Sequence, residues 1–142
     1  MRNLLLSLFS FITVISILVG PAWSDGHGHQ IDYAVGDKNF SAHLEKSTSS
    51  KGTVFIIHDW DGLTDYEKSR AKMLSELGFD AIAVDLFGID AKLEGRDDYR
   101  RETGALYKDR AQFRARISAA MDAGKASGVN TENIVIIGYC FG

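Results

Sequence analysis

Apolar residues recur along this chain with two different periods. Ile31-Asp32-Tyr33-Ala34-Val35 alternates, Gly36-Asp37 turns the chain, and an extended pattern resumes from Phe40 to Leu44. Period-two runs on either side of a turn predict a β-hairpin at a sheet edge. After the Ser/Thr-rich loop Lys46 to Gly52, the run Thr53-Val54-Phe55-Ile56-Ile57 is continuous and β-branched, which suits a strand covered on both faces. Thr64-Asp65-Tyr66-Glu67 has the form of a capping box. A helix is predicted from there to about Leu77, with Tyr66, Met73, Leu74 and Leu77 turned inward and Gly78 ending it. Phe79 to Val84 reads as another strand and Asp85 to Arg96 as a loop. Asp97 to about Ser127 reads as helix, broken or bent at Gly104 and closed by Gly128. Phe113, Ile117, Ala120 and Met121 are spaced for one buried face of that helix. Ile134 to Ile137 is the last strand. The order β-β-β-α-β-α-β predicts an α/β fold: a mostly parallel sheet with right-handed crossovers and helices on both faces, after an antiparallel start.

The first residues follow neither period. Arg2 precedes a nearly unbroken apolar run from Leu4 to Gly20, and Ala22-Trp23-Ser24 offers small residues at the two positions that a signal peptidase reads. Residues 1–24 are therefore expected to be a secretory signal, cleaved before Asp25, which leaves residues 25–142 as one domain. An uncleaved membrane anchor is the competing reading, for which the run is a little short. The expected location is secreted or periplasmic, with no stable membrane association after cleavage. Asp25 to Gln30, with His27 and His29, reads as a flexible leader rather than a metal site. The formal net charge of −3 gives no basic field suited to nucleic acid. Export implies an oxidising compartment, yet the chain has one cysteine. Cys140 is therefore either buried and inert or a reactive thiol.

The surroundings of Cys140 favour reactivity. Ile134-Val135-Ile136-Ile137 runs straight into Gly138-Tyr139-Cys140-Phe141-Gly142, the Gly-x-nucleophile-x-Gly pattern of a sharp strand-to-helix turn. A nucleophile at the tip of such a turn has strained backbone, and side chains two residues to either side would clash with neighbouring elements. In this architecture the residue after the nucleophile, Phe141, gives one oxyanion-binding N–H. The loop after the first core strand, His58-Asp59-Trp60-Asp61, gives the other.

His58-Asp59-Trp60-Asp61-Gly62-Leu63, then Asp85-Leu86-Phe87-Gly88, then the elbow, in this order and spacing, resemble the dienelactone hydrolase family of the α/β-hydrolase superfamily. The resemblance covers nearly all of Thr53 to Gly142. It implies Cys140 as nucleophile and Asp59 as the acidic residue that contacts it and helps control thiolate formation. The best-known members carry Glu at that position. The resemblance further implies Trp60 as the second oxyanion donor, and Arg101 as the nearest match to an arginine that holds the substrate carboxylate. The family's triad Asp and His follow the nucleophile in the chain, so His58, which precedes Cys140, is expected to shape its loop rather than act as base. Asp85 is expected to organise its loop through hydrogen bonds.

The reaction implied is hydrolysis of a small-molecule ester or lactone through an acyl-thioester, with no metal or organic cofactor. The sequence is expected to be the N-terminal part of a longer enzyme, inactive as it stands, since triad Asp and His would lie beyond Gly142. Two other classes stay open: a non-catalytic or binding member of the fold, and a redox-sensing envelope thiol.

Overall fold

The computed structural model describes residues 28–142; the signal segment expected over residues 1–24 and the start of the leader lie outside them. Eight elements follow one another: β1 (His29–Val35), β2 (Lys38–Glu45), β3 (Thr53–Ile57), α1 (Asp65–Glu76), β4 (Asp80–Val84), α2 (Arg96–Lys108), α3 (Arg110–Ala126) and β5 (Ile134–Gly138). The five strands form one sheet in the order β1-β2-β4-β3-β5. β1 and β2 are the antiparallel hairpin, turned at Gly36 with φ of 63°. β2 meets β4 antiparallel, and β4, β3 and β5 run parallel.

Every residue of β3 and β4 is buried, as expected of strands with helices on both faces. Their alternation sorts two cores. Phe55, Ile57, Ile82 and Val84 face one side, with Leu106, Ala120 and Phe141. Val54, Ile56, Ala81 and Ala83 face the other, with Ala71 of α1. α3 lies close to the first face because Gly124 has no side chain: a Cβ there would stand 2.5 Å from Ile82 Cδ1 and 3.3 Å from Phe55 Cζ.

α1 begins as expected. Thr64 caps it, and Glu67 Oε2 accepts from Thr64 N at 2.9 Å and Thr64 Oγ1 at 2.7 Å. Its inward face is corrected, however. Tyr66, Met73 and Leu77 are exposed; Leu74 packs half-buried against the sheet as expected, and the fully buried residues of the helix are Glu67 and Ala71. The opposing sheet surface is lined by Ala81 and Ala83, so the helix sits close, with Ala71 at the contact. The second helical stretch is also corrected. Gly104 lies inside α2, and the break falls at Asp109, whose side chain accepts from Gln112 N at 2.9 Å and starts α3. An Asp N-cap followed three residues on by Gln was a readable start signal. Among the described residues no helix is long and apolar enough to cross a membrane.

Candidate active site

The parallel register of β3 with β5 sets the site. Ile57 lies opposite Gly138, and Tyr139 N donates to Ile57 O at 3.1 Å. The two chains leave the sheet side by side, β5 into the cysteine turn and β3 into the His58 to Gly62 loop. Gly142 N donates to Tyr139 O at 2.9 Å and closes the turn. At its tip Cys140 has φ of 49°, the one positive φ of any residue other than glycine among the described residues. Such backbone is costly and persists only where the surroundings impose it. The flanking glycines show why: a Cβ at Gly138 would collide with the backbone carbonyl carbon of Gly142, and one at Gly142 would stand 2.8 Å from Ile57 O. The thiol itself is exposed.

Phe141 anchors the turn from below. Its side chain is buried, stacks on Phe113 at 5.1 Å and meets Tyr107 at 5.2 Å, Phe87 at 5.8 Å and His58 at 5.9 Å between ring centroids. The Phe141 backbone N–H is fixed by that packing. Trp60 is held from α2, with its ring edge-on to Tyr99 at 5.3 Å and the Arg96 guanidinium 5.8 Å from its centroid. Tyr66, exposed rather than in the core, meets Tyr139 of the elbow at 5.3 Å. The elbow is thus met by His58 of the loop, through Phe141, and by Tyr66 of α1, through Tyr139.

Asp59 and Asp61 form a pair that was not anticipated. Asp59 Oδ1 accepts from Asp61 N at 3.1 Å, and the two carboxyls act on each other's titration. The Asp61 carboxyl beside it, with the Asp61 and Trp60 N–H groups, holds Asp59 below the ordinary carboxylate range, against some desolvation. Asp61 bears the cost: the Asp59 carboxylate, together with partial burial, pushes it up to about 6. The two carboxyls therefore titrate as a pair, Asp59 losing its proton first. Among the described residues no hydrogen bond joins Asp59 to Cys140. The sequence signal was the Asp-x-Asp spacing in a tight loop.

His58 is fully buried, and both ring nitrogens are engaged. Nδ1 lies 2.6 Å from Asp59 O, and Nε2 accepts from Leu86 N at 3.2 Å. A backbone N–H can only donate, so Nε2 carries no proton and the neutral Nδ1–H tautomer follows. Burial pushes its pKa below the ordinary histidine value. With no free lone pair it has no means of taking a proton from Cys140. His43 pairs with Glu45 at 2.9 Å but sits on β2, with β4 and β3 between it and β5.

The Asp85 to Gly88 loop behind His58 is tied at each step. Asp85 Oδ1 accepts from Phe87 N at 2.9 Å and Gly88 N at 3.0 Å, as expected of a loop organiser. Tyr33 OH donates to Asp85 O, and Arg116 Nη1 donates to Leu86 O at 2.5 Å. Arg101 is placed differently from the others. Its guanidinium bonds the carboxylates of Asp98 and Glu102 and the Lys92 carbonyl, and it lines a surface cavity of about 450 Å³ with Asp37, Lys38, Phe87 and Glu102. Cys140 is not among the residues around that cavity. No cluster of metal-ligating side chains occurs among the described residues.

Comparison with known proteins bears on the family and the fold. Among solved structures, the protein named m3DLH superposes with a TM-score of 0.74 at 30% identity, over 82% of this chain and 50% of its own. A dienelactone hydrolase-like promiscuous phosphotriesterase from metagenomic libraries gives a TM-score of 0.74 at 31% identity over the same shares. A dienelactone hydrolase from Anabaena variabilis, at 15% identity and a TM-score of 0.58 over 79% of this chain and 51% of its own, shares the fold. The chain spans about half the length of these solved relatives. No curated protein matches it. The partial sheet is that of the α/β-hydrolase fold. The dienelactone hydrolase profile matches residues 40–142, from the second strand of the hairpin through the cysteine turn, and the chain belongs to that family.

Proposed function

We propose that Cys140 is the nucleophile of an ester or lactone hydrolase. The observation that carries this reading is the strained Cys140 backbone at the tip of a glycine-flanked turn, exposed and seated beside the Asp59–Trp60 loop. The Cys140 sulfur attacks the substrate carbonyl carbon as thiolate. The Phe141 and Trp60 N–H groups receive the developing oxyanion, and its collapse breaks the C–O bond and releases the alcohol or enol with a proton. Water then cleaves the thioester to give the acid. In a lactone the alcohol and acid stay on one molecule. Asp59 stands at the acidic position beside the nucleophile, and Arg101 is the candidate for a substrate carboxylate once released from Asp98 and Glu102. The general base is assigned to a His downstream of Gly142, so a polypeptide of residues 25–142 alone is expected not to turn over. Export and a periplasmic or secreted location complete the reading.

The test uses the protein with its full natural chain. Activated aryl esters, an enol lactone and an activated phosphotriester, prompted by the relative of that name, make up the substrate panel. Iodoacetamide should stop turnover with loss of one thiol. Cys140→Ala should lose several orders of magnitude and the acyl-enzyme seen by mass spectrometry, leaving oxyanion and binding contributions of about 10³–10⁴ over water. Cys140→Ser should also lose most activity, since a hydroxyl is a far weaker acid. Wild-type turnover by Cys140→Ala on every substrate would sink the assignment in favour of a binding protein or a redox sensor.

A further inference from the structure

We infer that His58 is a positioning residue that fixes the orientation of the Asp59–Trp60 peptide and so aims the Trp60 N–H at the oxyanion. The inference rests on the hydrolase reading above and concerns how its second donor is made.

The carbonyl of Asp59 and the N–H of Trp60 belong to one peptide group. That group is trans, as are all peptide bonds described, so its C=O and N–H point in opposite directions. His58 Nδ1–H holds the carbonyl from the buried side at 2.6 Å. The N–H is thereby turned away from the buried histidine. A flipped peptide would present the carbonyl oxygen there instead, which repels an oxyanion.

The hold is strong only if the imidazole cannot move, and three features keep it in place. Its other nitrogen accepts from Leu86 N at 3.2 Å. That N–H belongs to the Asp85–Leu86 peptide, whose carbonyl accepts from Tyr33 OH, and the next carbonyl, Leu86 O, accepts from Arg116. The ring has no exposed surface and lies edge-on to Phe87 at 4.6 Å and stacked with Phe141 at 5.9 Å. That last contact matters most, because Phe141 carries the first oxyanion donor. One buried ring spaces the two donors relative to each other.

Two variants separate the ring's two bonds. His58→Asn places an amide near Nδ1 and keeps a donor for Asp59 O while losing the acceptor for Leu86 N. His58→Gln reaches the Nε2 position and does the reverse. In the full-length protein, with folding checked by circular dichroism, two rates are measured for each: ester turnover and iodoacetamide alkylation of Cys140. Alkylation displaces iodide at a tetrahedral carbon and forms no oxyanion. His58→Gln should lose about 10²–10³-fold in kcat, the effect of one oxyanion donor, with KM nearly unchanged and alkylation within a few-fold of wild type. His58→Asn should stay at least tenfold above it in kcat. Equal loss in both variants, loss of alkylation in parallel with turnover, or kcat retained by His58→Gln would each overturn the inference. A wild-type enzyme that iodoacetamide alkylates without losing turnover would instead remove the underlying nucleophile reading.

Discussion

Single residues divide into those whose role depends on type and spacing and those whose role depends on what the fold brings beside them. Gly138, Cys140 and Gly142 belong to the first group, since two missing side chains and one strained thiol are visible in five consecutive letters. His58 and Asp61 belong to the second. The partners of His58 are backbone atoms, one of them in a loop after the next strand, and backbone atoms leave no mark on a sequence. The Asp59–Asp61 pair leads to a prediction about pH. In the folded protein Asp61 keeps its proton to about 6, above its ordinary 3.8, whereas the unfolded chain releases it earlier. The folded state therefore binds more protons in that window, and stability contributed at this site falls as pH rises through it. Asp61→Asn removes the penalty while keeping a donor for Asp59. Its stability relative to wild type, from urea unfolding at several pH values, should climb between about pH 4 and 6.5 and then level off. A difference that stays flat with pH would show that Asp61 titrates at its ordinary value.

At the level of elements, period and capping located every strand and the start of α1. They failed where helix and sheet decide together. The inward face of α1 is set by the alanines of β4, which a helical wheel does not contain, so Tyr66, Met73 and Leu77 stayed outside while Leu74 packed inward. Gly104 was a poor guide to the helix break because a lone glycine is tolerated in a helix, and Asp109 offered the better cap. Two glycines in adjacent helices now make opposite predictions. A side chain at Gly104 meets nothing within 4 Å, so Gly104→Ala should stabilise by about 1 kcal/mol through helix propensity alone. At Gly124 the same change drives a methyl into Ile82 and Phe55. Overpacking of that kind costs about 1–3 kcal/mol, which exceeds or cancels the propensity gain. Shifts of opposite sign in the urea midpoint, at unchanged slope, would bear this out. A stabilised Gly124→Ala protein would mean that α3 can move away from the sheet.

For the whole molecule, the alternation of strands and helices announced a parallel sheet, but strand order was not readable, because pairing partners are chosen in space. The leader makes a separate prediction at this scale. Mass spectrometry of exported protein should find an N-terminus at Asp25; recovery of a membrane-bound chain that keeps Leu4 to Gly20 would favour the anchor. The pairing of β3 with β5 has a consequence in time. The two strands that hold the cysteine turn are separated by all of α1, β4, α2 and α3, so they are a long-range contact that pays its loop-closure entropy late. During synthesis β3 emerges long before its partner, and until β5 docks nothing imposes the left-handed backbone on Cys140. The thiol on a nascent chain is then an ordinary flexible cysteine. The strained backbone at Cys140 is therefore a late product of folding, set when β5 joins β3.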